Sequence, residues 1–375
     1  MRTIVLSDLH LGAGPAWDLL RRADMRERLF ERLAGADRVV LLGDVLELRD
    51  RPLREALELS SAFFQELGEA MAGRSVTLMP GNHDHHLLQP WIERRRLDGA
   101  AEPMALEQRF EPTEGAARVI AERIRDAEVE LVYPGIRLRD DIYATHGHYL
   151  DRHLTVPTFE RLGVAAIERA LGGDPSGEDP LDPASEDAAA IPDEYERAQA
   201  PVYALLFSLA QAGGWRNESG NPSARIWAAL SSGETRAAKL RGWLLGSVAL
   251  PGAIGVANRL GLGPVRSDLS AAAISAASLA AIGEAVRRLG IEGEHLIFGH
   301  THRRGPLPGE DGWTIGDGMR VYNTGSWVHS PGLLGETAAE SPYWPGTIAI
   351  VEDEGAPRLE EVLGDLSREE LAGDK

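Results

Sequence analysis

The 375-residue sequence predicts a layered α/β domain interrupted by a long insertion, on three observations. Short apolar runs, several rich in Val and Ile, stop one after another at polar motifs: Thr3 to Ser7, Arg38 to Leu42, Ser75 to Met79, Ile142 to Thr145 and His295 to Phe298. Helical patterns lie between them, which is the alternation of a sheet covered by helices. Between His148 and Gly299 that order breaks down and the composition changes sharply.

Taken along the chain, Leu19 to Leu33 and Leu53 to Met71 carry apolar residues at helical spacing, the latter with Leu53, Leu57, Phe64 and Leu67. Residues 1–150 form the first part of the core and 151–290 the insertion, read as a helical cap. Its segment 172–194 holds eight acidic residues, four prolines and no Lys or Arg, the composition of a solvated linker. Beyond it, Val202 to Ala212, Trp243 to Val256 and Ala271 to Ile282 are apolar and rich in Ala or Gly. The uncharged stretch Gly242 to Asn258 has 17 residues, with Pro251 and four glycines, a poor membrane span by length and by breakers. The core resumes over 291–365, with Arg320 to Tyr322, a turn at Asn323 to Ser326, and Thr347 to Val351 joined to Arg358 to Leu363 by the hairpin turn Glu352-Asp353-Glu354-Gly355. Residues 366–375 are expected to be a frayed acidic tail.

Composition narrows the function. The net charge is −19, from 39 Lys plus Arg against 58 Asp plus Glu, and this opposes a nucleic-acid backbone, so no nucleic-acid partner is expected. No cysteine is present, so disulfides and thiolate metal ligands are excluded. The opening residues enter an apolar run and then a motif, leaving no room for a signal peptide, so the expected location is the cytoplasm.

The motifs carry the chemistry. Asp8 and His10 stand two apart where a run ends, so both can face one side and share a cation. Gly43 lets the backbone approach closely, and the Asp44 carboxylate can bridge two metals. In Gly81-Asn82-His83-Asp84 the Asn82 amide oxygen is a metal donor, with His83 and Asp84 beside it. His146, and His300 with His302 in a Gly-His-Thr-His frame, bring neutral imidazoles. Carboxylate, amide oxygen and imidazole together suffice to hold two adjacent divalent cations, for which Mn, Fe and Zn are all admissible.

This order of blocks, Asp-x-His, Gly-Asp, Gly-Asn-His-Asp, a later His, and Gly-His-x-His, resembles the calcineurin-like metallophosphoesterase superfamily over residues 1–150 and 291–365. The resemblance implies a four-layer α/β/β/α sandwich with its site at the strand ends. It also implies that Asp8, His10 and His302 bind one metal, that Asn82, His146 and His300 bind the other, and that Asp44 bridges. A hydroxide between two cations would then attack a phosphomonoester, phosphodiester or pyrophosphate. His83 is similar to the family's histidine that protonates or stabilises the leaving oxygen, with Asp84 fixing its orientation. His148 is expected to contact phosphate or to stand behind the donors, and His85 and His86 to lie at the surface or behind them. Arg303 and Arg304, directly after His302, are placed to meet substrate, whereas Arg94, Arg95 and Arg96 are read as a solvated helix face.

Gly43-Asp44-Val45-Leu46-Glu47-Leu48 and the placing of the insertion resemble the UDP-2,3-diacylglucosamine pyrophosphatases, in which a helical lid holds acyl chains. That likeness implies a lipid-linked or nucleotide diphosphate and a peripheral contact with the inner face of the membrane. Equally, the Ala-rich helices of the cap can pack against one another and on the core. Two further readings are a nuclease of the same superfamily and a non-catalytic metal-binding scaffold. The sequence leaves the oligomeric state open.

Overall fold

A computed structural model describes residues 1–98, 102–155, 181, 189–212 and 271–373. Two compact units divide the chain: Met1–His148 with Tyr203–Arg216 and Ile291–Lys375, and Tyr149–Val202 with Asn217–Gly290. The apolar stretch 242–258 and most of the acidic segment 172–194 lie outside the described residues.

The first unit is built on one eleven-stranded sheet. Its strands are β1 (Thr3–Leu6), β2 (Arg38–Leu42), β3 (Ser75–Met79), β4 (Glu107–Phe110), β5 (Glu128–Arg139), β6 (Ile142–Thr145), β7 (His295–Phe298), β8 (Thr314–Ile315), β9 (Met319–Asn323), β10 (Thr347–Val351) and β11 (Arg358–Glu361). The spatial order is β11-β10-β1-β2-β3-β5-β6-β7-β9-β8, with β4 on β5. β1, β2 and β3 run parallel, as do β6, β7 and β9. The twelve-residue β5 joins the halves, pairing with β3 through Glu128–Leu131 and with β6 from Gly135 onward. The expected α/β class is therefore found, with its two β layers formed by one curled sheet.

Period-two alternation decides which side chain serves which layer. Ile4, Leu6, Val39, Leu41, Val76 and Leu78 join the core beneath the helices α1 (Ala23–Leu33), α2 (Leu53–Leu59), α3 (Ser61–Ala70) and α5 (Gly115–Arg123). Their neighbours Val5, Val40 and Leu42 turn the other way, into a core shared with Ile142, Ala144, Ile297 and Tyr322 of the second half. The donor motifs stand in the residues just after these strands.

Two expected helices are subdivided. Arg22 is extended (φ −82°, ψ 131°) and separates a 3₁₀ turn, Leu19–Arg21, from α1. At Ser60 the hydroxyl donates to the Ala56 carbonyl at 2.8 Å, and the chain restarts there as α3. The basic run Arg94 to Arg96 closes α4 (Gln89–Leu97), whose residues include none that is buried, as a solvated face requires. The C-terminal tail is corrected: it forms a short helix, Arg368–Ala372, because Ser367 and Glu370 complete a reciprocal capping box.

In the second unit Tyr195 is fully buried, stacked on Tyr149 with ring centroids 4.6 Å apart and hydrogen-bonded to His153 at 2.7 Å. The helix Ala271–Leu289 belongs to this unit, and Glu284 on it pairs with both Arg287 and Arg288. No described helix is long and apolar enough to cross a membrane.

Candidate metal centre

The donors follow the ends of five strands. Asp8 and His10 follow β1, Asp44 follows β2, Asn82 and His83 follow β3, His146 follows β6, and His300 and His302 follow β7. Strands within each half are parallel, so the loops of each half leave from one end of that half, and side-chain approaches such as His146 Nε2 to Asp44 Oδ2 at 3.3 Å show the two sets meeting. Backbone hydrogen bonds lock neighbouring loops together: Asp8 N–H donates to the Gly43 carbonyl at 3.0 Å, and His10 N–H to the Asp44 carbonyl at 2.9 Å.

The conformation of these loops is unusual. Among the described residues, the non-glycine positions with positive φ are Asp8 (55°), His10 (46°), Asp44 (50°), His300 (67°) and His302 (57°). For an L-residue the left-handed region costs about 1–2 kcal/mol, and such strain gathers where function requires it. All five of these residues are donors, so the strain aims side chains at one point.

That point is crowded with lone pairs. His10 Nε2 lies 3.0 Å from His302 Nε2, which lies 3.4 Å from Asp8 Oδ1. Asp8 Oδ1 is buried and accepts no hydrogen bond. Asn82 Oδ1 lies 3.1 Å from both His146 Nε2 and His300 Nδ1. Asp44 Oδ2 stands between the two groups, 3.8 Å from His10 Nε2 and 3.3 Å from His146 Nε2. Acceptors brought this close, with a buried carboxylate oxygen lacking any donor, fit a cation among them. Turned the other way, the Asn82 amide would donate to Asp44 Oδ2 at 3.1 Å and accept from Arg49 at 2.8 Å. The first orientation is the one a cation needs, and the second satisfies hydrogen bonds without one.

Tautomers are set from behind. His146 Nδ1 faces the Leu42 carbonyl at 3.0 Å, and His10 Nδ1 faces Glu47 Oε2 at 2.9 Å, leaving both Nε2 atoms for the centre. Burial lowers the pKa of both rings but is outweighed by the carboxylates. For His10 these are Glu47, Asp44 and Asp8; for His146 they are Asp44 and Asp8. Both rings rise to about 9. Burial likewise raises Asp44, but His146, His83 and His10 hold it well below the usual carboxylate range.

A cation must displace those imidazole protons, so its affinity depends on pH. With His10 and His146 protonated up to about pH 9 in the metal-free protein, cation binding near neutrality releases protons and tightens as pH rises. Calorimetry in buffers of different ionisation enthalpy should show proton release at pH 7 that shrinks toward pH 9. A Kd unchanged from pH 6 to pH 9 would contradict this account.

His83 lies beside the donors, 4.0 Å from Asp44 Oδ2 through Nε2, while its backbone N–H donates to Asp44 Oδ1 at 2.7 Å. Its expected partner is corrected. Asp84 does not orient the ring, because its carboxylate is filled by the backbone N–H groups of Val45, Leu46 and Gly81. Burial and the neighbouring Asp44 raise the Asp84 pKa to about 6, against those hydrogen bonds. Asp84 therefore ties the loop after β2 to the loop after β3. The orienting carboxylate is Glu47, 2.8 Å from His83 Nδ1. Glu47 was legible only as an acid inside an otherwise apolar run, three residues beyond Asp44.

His148 is buried beside the centre, its ring 5.5 Å from that of His146, and its Nε2 meets the Tyr133 hydroxyl at 2.9 Å. His85 is buried near Tyr133 and Tyr203, and His86 stacks on Phe207 with centroids 3.7 Å apart. Arg303 is not brought to the donors: its guanidinium pairs with Glu310 and lies over the Trp313 ring at 5.0 Å. Arg304 is buried too, bonded to the Ser341 and Ala338 carbonyls and paired with Glu361.

Residues 1–182 match the family model described as calcineurin-like phosphoesterase. Over those residues the chain is similar to that superfamily of metal-dependent phosphoester hydrolases. No curated protein matches it significantly.

Proposed function

We propose that the protein hydrolyses a phosphomonoester, phosphodiester or pyrophosphate at a two-cation centre. Asp8, His10 and His302 hold one divalent ion, Asn82, His146 and His300 hold the other, and Asp44 is shared. The observation that carries this reading is the convergence of these seven donors from five loops, five of them at strained backbone positions. Manganese, iron and zinc all suit this nitrogen and oxygen set. When bound, such cations neutralise phosphate oxygens and acidify water to the attacking nucleophile.

The chain's own groups supply the rest. With Nδ1 committed to Glu47, any proton that His83 moves is carried on Nε2. Burial, with Arg49 adding to it, keeps this ring below its ordinary pKa, so it is neutral before substrate arrives. An incoming phosphate adds negative charge, which favours the imidazolium and equips His83 to meet the leaving oxygen. The partly exposed rims of His83, His300 and His302 are the face on which substrate arrives.

An acidic chain that repels polyanions favours a small phosphorylated or lipid-linked substrate in the cytoplasm over a nucleic acid. Manganese-loaded protein should release nitrophenol from p-nitrophenyl phosphate or bis-p-nitrophenyl phosphate, and EDTA should stop it. Failure on both with Mn, Fe and Zn each supplied would overturn the assignment.

A further inference from the structure

Glu47 is a buried carboxylate whose hydrogen bonds run in two directions at once. Its Oε2 lies 2.9 Å from His10 Nδ1 and 2.8 Å from His83 Nδ1, so a single oxygen stands between two imidazoles. Oε1 accepts the Arg49 backbone N–H at 2.9 Å and lies 3.0 Å from His83 Nδ1. The Glu47 backbone N–H is itself tied to the Leu11 carbonyl at 3.0 Å, which fixes where the side chain starts. The two rings meet edge to face, centroids 4.5 Å apart at 87°.

An ionised carboxylate only accepts, so each ring must place a hydrogen on Nδ1 and turn its Nε2 away from Glu47. Both Nε2 atoms then face the same atom, Asp44 Oδ2, at 3.8 and 4.0 Å. Resting on the two-cation reading above, we infer that Glu47 is a positioning residue. Through one oxygen it orients both the cation ligand His10 and the leaving-group histidine His83, so cation occupancy and His83 geometry are set together.

Glutamine cannot replace it. If the amide oxygen takes the Oε2 position, the amide NH₂ meets the Arg49 N–H. If it takes the Oε1 position, the NH₂ meets both rings and the Nδ1–H tautomer of each is lost.

The test uses the full chain stripped of metal. In the wild type at about pH 10, where the His10 ring is neutral, ¹⁵N-resolved histidine spectra should show His10 and His83 with hydrogen on Nδ1, an observation independent of any variant's stability. Either ring found as the Nε2–H tautomer overturns the inference. Titration with Mn²⁺ should show two sites in the wild type. In Glu47→Gln one site should weaken about 10–100-fold, the usual effect of losing the group behind a metal-bound histidine, with the other within about threefold. His83→Ala should leave both Mn²⁺ affinities within about threefold while lowering kcat.

At saturating Mn²⁺, Glu47→Gln should remain slow, and adding His83→Ala to it should cost only a few-fold more, because both changes disable one unit. Unchanged Mn²⁺ affinity in Glu47→Gln, equal loss at both sites, full rescue of kcat by Mn²⁺, or additive double-variant losses would each overturn the inference. A wild type that binds fewer than two Mn²⁺ instead sinks the two-cation reading.

Discussion

Asp44→Asn is expected to lower nitrophenyl phosphate hydrolysis by on the order of 10³-fold or more at saturating manganese, with the fold intact. Among the described residues Asp44 Oδ2 is the donor atom that lies between both groups, and Oδ1 also holds the loop after β3 through the His83 N–H. An asparagine that keeps its oxygen on that N–H turns an NH₂ toward the proposed cations and removes a full charge. Several kcal/mol of charge stabilisation are then lost, and each 1.36 kcal/mol is about tenfold in rate. The backbone should tolerate the change, since asparagine adopts the left-handed region that Asp44 occupies (φ 50°). Circular dichroism and nitrophenol release together check this result. A rate within tenfold of wild type would mean that the shared oxygen is not the hinge of the site.

The second large effect is expected at Gly81, a residue without a functional group. A Cβ there would lie 2.3 Å from Asp44 Oδ1, 2.6 Å from Asp44 N and 2.7 Å from His146 Cδ2. Two of these contacts are with side chains of the proposed cation ligands and one is with backbone, so none can swing aside cheaply. In Gly81→Ala the loop carrying Asn82 and His83 must move instead, and displacements near 1 Å in a catalytic array cost about 10²-fold. Gly355→Ala is the matched control. Its φ of 84° brings strain, but nothing lies within 4 Å of the added carbon, so kcat should be unchanged. Equal activity in Gly81→Ala and wild type would show that the loops at this end of the sheet yield more than their packing implies.

Much of the site could be read before the fold was seen, and the reason is local. A strand that ends on a donor motif is written in consecutive residues, so Asp8, His10, Asp44, Asn82, His146, His300 and His302 declared themselves as one set. The partners behind them did not. Asp84 follows His83 directly, yet its carboxylate turns to backbone N–H groups, while Glu47, distant in sequence, reaches the ring. Only the pairing of β2 with β3 places those loops side by side. Arg303 illustrates the converse. Adjacency to His302 suggested a substrate contact, but Glu310 and Trp313 hold a better-satisfied place for the guanidinium. The subdivision of the early helices depended on single residues, Arg22 and Ser60, whose types do not forbid helix.

The left-handed positions at Asp8, His10, Asp44, His300 and His302 carry a consequence for any attempt to harden this protein. Glycine would relax each of them by about 1–2 kcal/mol, so a screen that rewards only heat tolerance has a direct incentive to discard these side chains. Improvement campaigns would do better to start at the far rim of the sheet, where rigidity and turnover do not compete for the same residues.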